Sequence, residues 1–400
     1  MIDYLAKEGY SVDIYSIKTP FAVSPDFDAN KVRYFEIRQN NDKKKLTKTN
    51  KEPAIPFSNK LKRWLIKIQD FISRNSEQMC LYRLWKKKPY SLFIVIEPEG
   101  ILPMKDIAYR SSALYRILGI PFIYISLELL LSGEITEPRE KLFKNIEKTY
   151  SRRARFVIIQ DKERGDLFAQ DNLIPIHKLQ YLPNSPGGPL MKKRFNFWHE
   201  MLDIDKRKKI LLHAGGLSEW TMLEDIIPAS RKWPANWVLV IHTHFHANKM
   251  GEENKYRWEY LKDIAEGNSR VIFSEKPASR KLFDQLISSA DAIIAFYKPV
   301  RSRRSGWSNI KVIGLSSGKV AYALRSGLPV IVNNETTLGE FVQKTGCGVC
   351  VETASETGSA LRKIESNYGQ YSEMAYKTFE EHLRFEKHFK KIMRKIEKYL

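Results

Sequence analysis

Ile310–Asn334 reads IKVIGLSSGKVAYALRSGLPVIVNN, and this stretch decides the fold. Ser316-Ser317-Gly318 stands directly before an amphipathic helix that opens at Lys319 and closes at Ser326-Gly327. Leu328-Pro329-Val330-Ile331-Val332 then supplies the unbroken apolar run of a strand buried on both faces. A turn, a helix and a buried strand in that order are one unit of a parallel α/β sheet. Free N–H groups at a helix start, two hydroxyls, a permissive glycine and a lysine also form an anion cradle. The spacing is not GxxxxGK[ST], so this is not a P-loop.

Working outward, the same alternation fills the second half. Strands are predicted at Lys209–His213, Trp237–His242, Val271–Phe273, Ala292–Phe296, Pro329–Val332 and Gly348–Val351. Helices between them are predicted at Met222–Lys232, Tyr256–Glu266, Ser279–Ser288, Lys319–Ser326 and Leu338–Lys344, with a long charged helix over 371–400. The first half shows strands at Val12–Ile17, Val32–Ile37, Leu92–Ile96, Phe122–Ser126 and Phe156–Gln160. Its helices are expected at 58–85, 105–118, 139–151 and 161–170, with a lysine-rich loop at Asn40–Pro56. Tyr181–Pro189, YLPNSPGGP, is dense in proline and glycine and reads as a linker. Ile2–Gly9 reads as a helix where a doubly wound domain opens on a strand, so a first strand is expected to be missing, through a start placed too far downstream.

Four hundred residues, 43% hydrophobic and 12% aromatic, suffice for two cores and argue against wholesale disorder. Cys80, Cys347 and Cys350 make no disulfide framework, and Cys347-Gly348-Val349-Cys350 lacks the second pair of a zinc site. No apolar run approaches the roughly 20 residues of a membrane span, and no leader is visible, so a cytoplasmic protein is expected. The net charge is +21, about +13 of it in residues 1–195. Basic clusters lie at Lys43–Lys45, Lys86–Lys88, Arg152-Arg153, Lys192–Arg194 and Arg301/Arg303/Arg304. Such a balance fits a polyanionic partner, whether phosphorylated substrate or anionic membrane face. No basic motif interleaved with aromatics supports nucleic acid.

Several motifs resemble one family. Ala295-Phe296-Tyr297, Ser317-Gly318-Lys319, Gly327-Leu328-Pro329-Val330-Ile331, Glu340 and Gly346-Cys347-Gly348 resemble the donor domain of GT-B glycosyltransferases related to family 4. His213-Ala214-Gly215-Gly216 resembles its glycine turn, and Tyr181–Ser185 the exit from the acceptor domain. The resemblance implies two Rossmann-like doubly wound domains facing across a cleft. They would be an acceptor domain at 1–185, a donor domain at 186–370, and a helix at 371–400 crossing back to the first. It also implies a nucleotide diphosphate sugar, UDP- or GDP-linked, held by Gly215, Gly216, Ser316, Ser317, Gly318 and Lys319, with His242 near the nucleotide. Lys319 would neutralise the leaving diphosphate without a metal or cofactor, helped by Lys311 or an arginine of 301–304.

Glu340 is expected at the donor sugar or capping its helix. Glu99 is expected to accept the acceptor's proton, with Glu97 and Glu128 similarly placed at strand ends. The acceptor would be lipid-linked or a growing glycan of a cell-surface polysaccharide, met at the inner face of the membrane. Two departures stand out: Gly314 and Tyr322 occupy the places of the family's paired glutamates, and Leu217–Trp220 that of its basic residue. The fold would also suit a UDP-sugar epimerase or a degenerate sugar-nucleotide binder. His242, His244 and His246 alternate as metal ligands can, but no carboxylate or cysteine stands close in sequence.

Overall fold

The computed structural model describes residues 1–17, 32–37, 90–101, 121–243, 252–274, 280–300 and 307–400. The expected helices at 58–85 and 105–118, the loop 40–56, Cys80, His244, His246 and the basic clusters at 43–45, 86–88 and 301–304 lie outside them.

The chain forms two compact units, residues 1–95 with 99–121, and residues 96–98 with 122–400. In the first, α1 (Ile2–Lys7) precedes β1 (Val12–Ile17), which pairs in parallel with β2 (Val32–Ile37). Asp13 accepts hydrogen bonds from Arg33 Nε (2.7 Å) and from the Tyr90 hydroxyl (2.6 Å). Strand β3 (Phe93–Ile96) brings the chain to residues 96–98 of the second unit.

The second unit holds two parallel arrays. In the smaller, β4 (Phe122–Ile125), β5 (Val157–Ile159) and β6 (Leu179–Tyr181) lie side by side in parallel. They are joined by α2 (Pro138–Ser151) and α3 (Lys162–Asn172). Strand β6 ends on Tyr181, the first residue of the stretch that reads from sequence as a linker. Lys144 and Glu147 of α2 are buried and paired at 2.6 Å, and Lys144 also meets Asp171 at 2.8 Å.

The larger sheet has the order β12-β11-β10-β7-β8-β9, with parallel pairing throughout. Its strands are β7 (Lys209–Ala214), β8 (Trp237–His242), β9 (Val271–Ser274), β10 (Ala292–Ala295), β11 (Val330–Asn333) and β12 (Gly348–Val351). Strand side chains alternate between two cores, as a period of two requires. Ile210, Leu212, Ile293, Val330 and Val332 face one core, and Leu211, Leu239, Ile241, Ile294 and Ile331 the other.

Helices cover both cores. The first lies under α4 (Phe197–Met201), α7 (Arg280–Ser288), α9 (Gly318–Arg325), α10 (Thr337–Thr345) and α12 (Tyr368–Thr378). The second lies under α5 (Leu223–Ala229), α6 (Glu252–Ile264) and α11 (Thr357–Ser366). A short α8 (Trp307–Lys311) sits between β10 and α9 in sequence.

The charged tail is not one helix. It runs as α12, a π-turn at Phe379–Leu383, and α13 (Phe385–Ile396), with Arg384 extended at the break. The break lets Phe379 and Leu383 fill the first core while α13 turns its own apolar face, Phe389, Ile392, Met393 and Ile396, inward. Beyond α13 the chain returns to the smaller sheet, where Tyr399 meets Phe156 at 6.4 Å and lies 5.5 Å under the Arg155 guanidinium. Cys347 is buried at the start of β12, and burial pushes its thiol up to about 11. A thiol so held is a packing residue, not a nucleophile.

Candidate functional site

In the larger sheet β7 and β10 are neighbours, and the strand order runs away from them in opposite directions. This is the topological switch point, where open parallel sheets leave a crevice at the strands' carboxyl ends. Gly215 follows β7 there, and Tyr297 follows β10 just beyond its last residue. Gly215 has φ +154°, which L-residues rarely adopt, and its N–H donates to the His242 carbonyl at 3.0 Å. A Cβ on Gly215 would stand 3.5 Å from both Cε and Nζ of Lys319. The glycine turn and the lysine, 104 positions apart in sequence, are thus brought into contact.

Lys319 is in the first turn of α9, where N–H groups have no intrahelical acceptors. Its ammonium nitrogen is buried with no hydrogen-bond partner, 5.1 Å over the Tyr297 ring. Burial lowers its pKa to about 7. A buried ammonium without a counter-charge is costly, and the cost is relieved by loss of the proton or by an anion beside it. His213 is fully buried beside it, with one ring nitrogen on the Gly216 carbonyl at 3.0 Å and Nδ1 unpartnered. Burial first, and the charge of Lys319 second, hold His213 well below its ordinary pKa, so it is neutral. Ser317 makes no side-chain cap; its hydroxyl shares a 2.7 Å hydrogen bond with Tyr297. Tyr297 stacks on Trp220 at 5.6 Å, and its backbone is held by Asn333 at 2.8 and 3.0 Å.

The smaller sheet grips the turn before α9. Asp161, just after β5, caps α3 by accepting from Arg164 N at 2.9 Å, and its other oxygen accepts from Leu315 N at 3.1 Å. Asn184 donates from its backbone to the Leu315 carbonyl (3.0 Å) and from Nδ2 to the Ser316 carbonyl (3.1 Å). Arg164 is a buried strut. It donates to Asn309 Oδ1 (2.7 Å), the Asn309 carbonyl (3.0 Å) and the Leu127 carbonyl (2.9 Å). Glu128 accepts from Asn309 Nδ2 at 2.5 Å, which gives it a structural role.

This grip leaves no room for a glutamate at 314. Gly314 has φ +27°, and a Cβ there would lie 2.9 Å from Asp161 Oδ2 and 3.2 Å from Thr337 Oγ1. A carboxyl from the other sheet therefore occupies the room a side chain at 314 would need. Tyr322 packs edge-on against Phe283 at 4.8 Å, with Arg325 5.3 Å over its ring.

Among the remaining expected residues, the structure gathers some and not others. Gly216, Ser316, Ser317 and Gly318 stand around Lys319 as described. His242 is buried, bonded to Ser274 Oγ at 3.0 Å and edge-on to Trp198; its carbonyl, not its ring, reaches the glycine turn. Glu340 is exposed in the first turn of α10, one turn after Thr337, which accepts from Gly314 N at 3.1 Å. Glu99 is exposed and belongs to the first unit. Glu97 has the more unusual setting, with φ 59° and a carboxylate that accepts from the N–H groups of Leu127 and, at 3.1 Å, Glu128. Burial, outweighing those bonds, raises it to about 8.

Sequence reasoning passed over Asp161. Its signal was an aspartate three residues before Arg164 at a strand end, the pattern of an N-cap. Tyr297 was quoted only as part of a motif, and nothing local marks it as a neighbour of Lys319.

Comparison with known proteins bears on the fold. Residues 315–396 match the family described as "Glucosyltransferase 3-like, C-terminal domain". No match was found among curated proteins. HepE of Anabaena, solved in complex with UDP-glucose, is similar with a TM-score of 0.61 at 13% identity, covering 80% of this chain and 82% of that one. Sucrose-phosphate synthase from Thermosynechococcus elongatus gives 0.65 at 14% identity over 99% and 90%. WaaG, a glycosyltransferase involved in lipopolysaccharide biosynthesis, gives 0.58 at 13% over 96% and 92%. The matched family and these neighbours are glycosyltransferases, which are enzymes. The chain has the GT-B fold, and its residues 315–396 are similar to the C-terminal domain of glucosyltransferase 3-like proteins.

Proposed function

We propose that the chain transfers a sugar from a UDP- or GDP-sugar to a lipid-linked or growing glycan acceptor in cell-surface polysaccharide synthesis. The observation that carries the reading is the buried, unpartnered ammonium of Lys319 against the Gly215 turn at the sheet's switch point. In the reaction the anomeric carbon–oxygen bond to the diphosphate breaks and a bond to the acceptor oxygen forms. Negative charge grows on the diphosphate, and fixed donors already aimed at it lower the barrier. Lys319 and the N–H groups opening α9 supply that environment, so the proposal needs no metal for this role. HepE's complex with UDP-glucose favours a uridine donor.

In this reading residues 1–185 receive the acceptor, 186–370 hold the donor, and 371–400 brace the first part. Acceptance of the acceptor's proton is assigned to Glu99; Glu97, raised to about 8, is mostly protonated at neutral pH and is assigned a supporting place in the same segment. Glu340 is assigned to the donor sugar. The basic surface is assigned to an anionic membrane face at the inner side of the cell. Among the described residues no helix is long and apolar enough to cross a membrane. Thermal-shift measurements against UDP, GDP, CMP and their sugars test the donor. Stabilisation by a uridine or guanosine diphosphate sugar, lost in Lys319→Ala, supports the proposal. Absence of any nucleotide response defeats it.

A further inference from the structure

The edge of the smaller sheet away from Asp161 carries a surface the donor site does not use. The chain enters β5 through Arg152, Arg153 and Arg155, and enters β6 through the turn Ile176–Lys178. Helix α3 ends at the same edge, at Asn172 and Leu173. Hydrogen bonds make these segments one surface: Arg152 Nε donates to the Asn172 carbonyl at 2.8 Å, and Lys178 Nζ to the Arg152 carbonyl at 2.9 Å. Arg155 extends the surface to Tyr399. Two aliphatic side chains stand out of this basic ground, Leu173 at 70% and Ile176 at 61% exposure.

Leu173 is the informative one. It caps α3 with φ 54° and ψ 51°, a left-handed conformation that glycine or asparagine takes readily and leucine does not. The backbone closes the helix, with Ile174 N donating to the Ala169 carbonyl at 2.9 Å, but the exposed leucine side chain gains nothing inside the fold. A bulky aliphatic side chain in a place that glycine or asparagine would fill more readily, set among exposed basic groups, is the feature that a partner would use.

We propose that Leu173 and Ile176, ringed by Arg152, Arg153, Arg155 and Lys178, form a docking surface for an anionic lipid bilayer. The aliphatic tips enter the headgroup boundary while the guanidinium and ammonium groups meet lipid phosphates. Separate aliphatic tips at turn ends suit a yielding lipid surface. A protein partner would call for a continuous core with aromatic anchors. The surface deepens the membrane part of the proposed function and stands independently of the donor site. Asp161 and Glu128 follow the opposite ends of these strands, on the order of 10 Å away for strands of this length. The docked enzyme would therefore work on an acceptor end that stands off the lipid.

The test is co-sedimentation of the full chain with vesicles of phosphatidylcholine alone or with roughly one third phosphatidylglycerol, at about 0.05 M and about 0.5 M salt. Binding is expected on the anionic vesicles, weakened by salt, and slight on phosphatidylcholine. Leu173→Asn with Ile176→Ser should lower partition about tenfold or more. The asparagine suits the left-handed backbone, so the melting transition and the uridine diphosphate response should stay as in the parent. Arg153→Ser and Arg155→Ser, both exposed, should each cost about fivefold at low salt, and give a second reading if Ile176→Ser disturbs folding. Failure of the parent to bind anionic vesicles, or undiminished binding by these variants, overturns the proposal. So does self-association that the Leu173/Ile176 variant abolishes in a chain that ignores vesicles, which would assign the surface to a second copy.

Discussion

If Lys319 is the charge that meets the diphosphate, donor binding must be coupled to proton uptake. Its pKa of about 7 in the free protein comes from burial alone. A bound diphosphate would return it toward its ordinary 10.5. At pH 7 about half the molecules carry the proton, and at pH 8.5 about one in thirty. Apparent affinity scales with the competent fraction, so binding of UDP-glucose should weaken about fifteenfold over that span. Below about pH 6 affinity should level off. Calorimetry at pH 8 in buffers of different ionisation enthalpy should show uptake of about 0.9 proton per donor bound.

The same lysine has a stability signature. Because its folded pKa is lowered, the unfolded chain binds the extra proton between pH 7 and 10.5, and stability rises with pH across that window. Below it the buried charge costs at most about 5 kcal/mol. Lys319→Met should therefore raise the melting temperature most at low pH while removing the donor response. An affinity for UDP-glucose unchanged from pH 7 to 8.5, with no buffer-dependent heat, would refute the reasoning. So would a Lys319→Met variant that is less stable than the parent at pH 6.

Four further outcomes follow from the geometry. Gly215→Ala should cut donor affinity at least about tenfold, read by titration, because the turn's φ of +154° resists a side chain beside Lys319. Gly314→Glu, which restores the family's residue, should not improve activity; the clash with Asp161 should cost about 2 kcal/mol or more in denaturant unfolding. Asp161→Ala should weaken donor binding, and Asp161→Asn, whose amide oxygen can still accept from Leu315 N, should recover part of it. Glu147→Ala, which strips Lys144 of one of its buried partners and the Tyr124 hydroxyl of its 2.6 Å acceptor, should lower stability by about 3 kcal/mol.

Much of the architecture is written in local order. Runs rich in β-branched and aromatic residues place Val12–Ile17, Val32–Ile37, Trp237–His242 and Gly348–Val351 where the strands lie, and Trp237–His242, buried on both faces, is apolar almost throughout. The helix opening beside Lys319 is equally local, since glycine and serine before an amphipathic run mark a start. Short elements escaped: β6 stands just ahead of a proline-rich stretch and α8 lies in a polar one. Both are too short to show a period, and tertiary bonds from Asn309 and Ser308 hold α8 in place. The tail's break at Arg384 was invisible too, for the helical period continues on both sides and only the depth of the core decides where the chain turns.

The site divides along the same line. The sequence by itself determined that a lysine opens a helix beside two serines and a glycine, and that a glycine turn follows another strand, because those are matters of neighbouring residues. Only the tertiary structure decided that Gly215 and Lys319 touch, that the ammonium has no partner, and that Asp161 fills the space beside Gly314. Those facts depend on strand order at the switch point and on contact between two sheets. Neither is encoded in any window of sequence short enough to read.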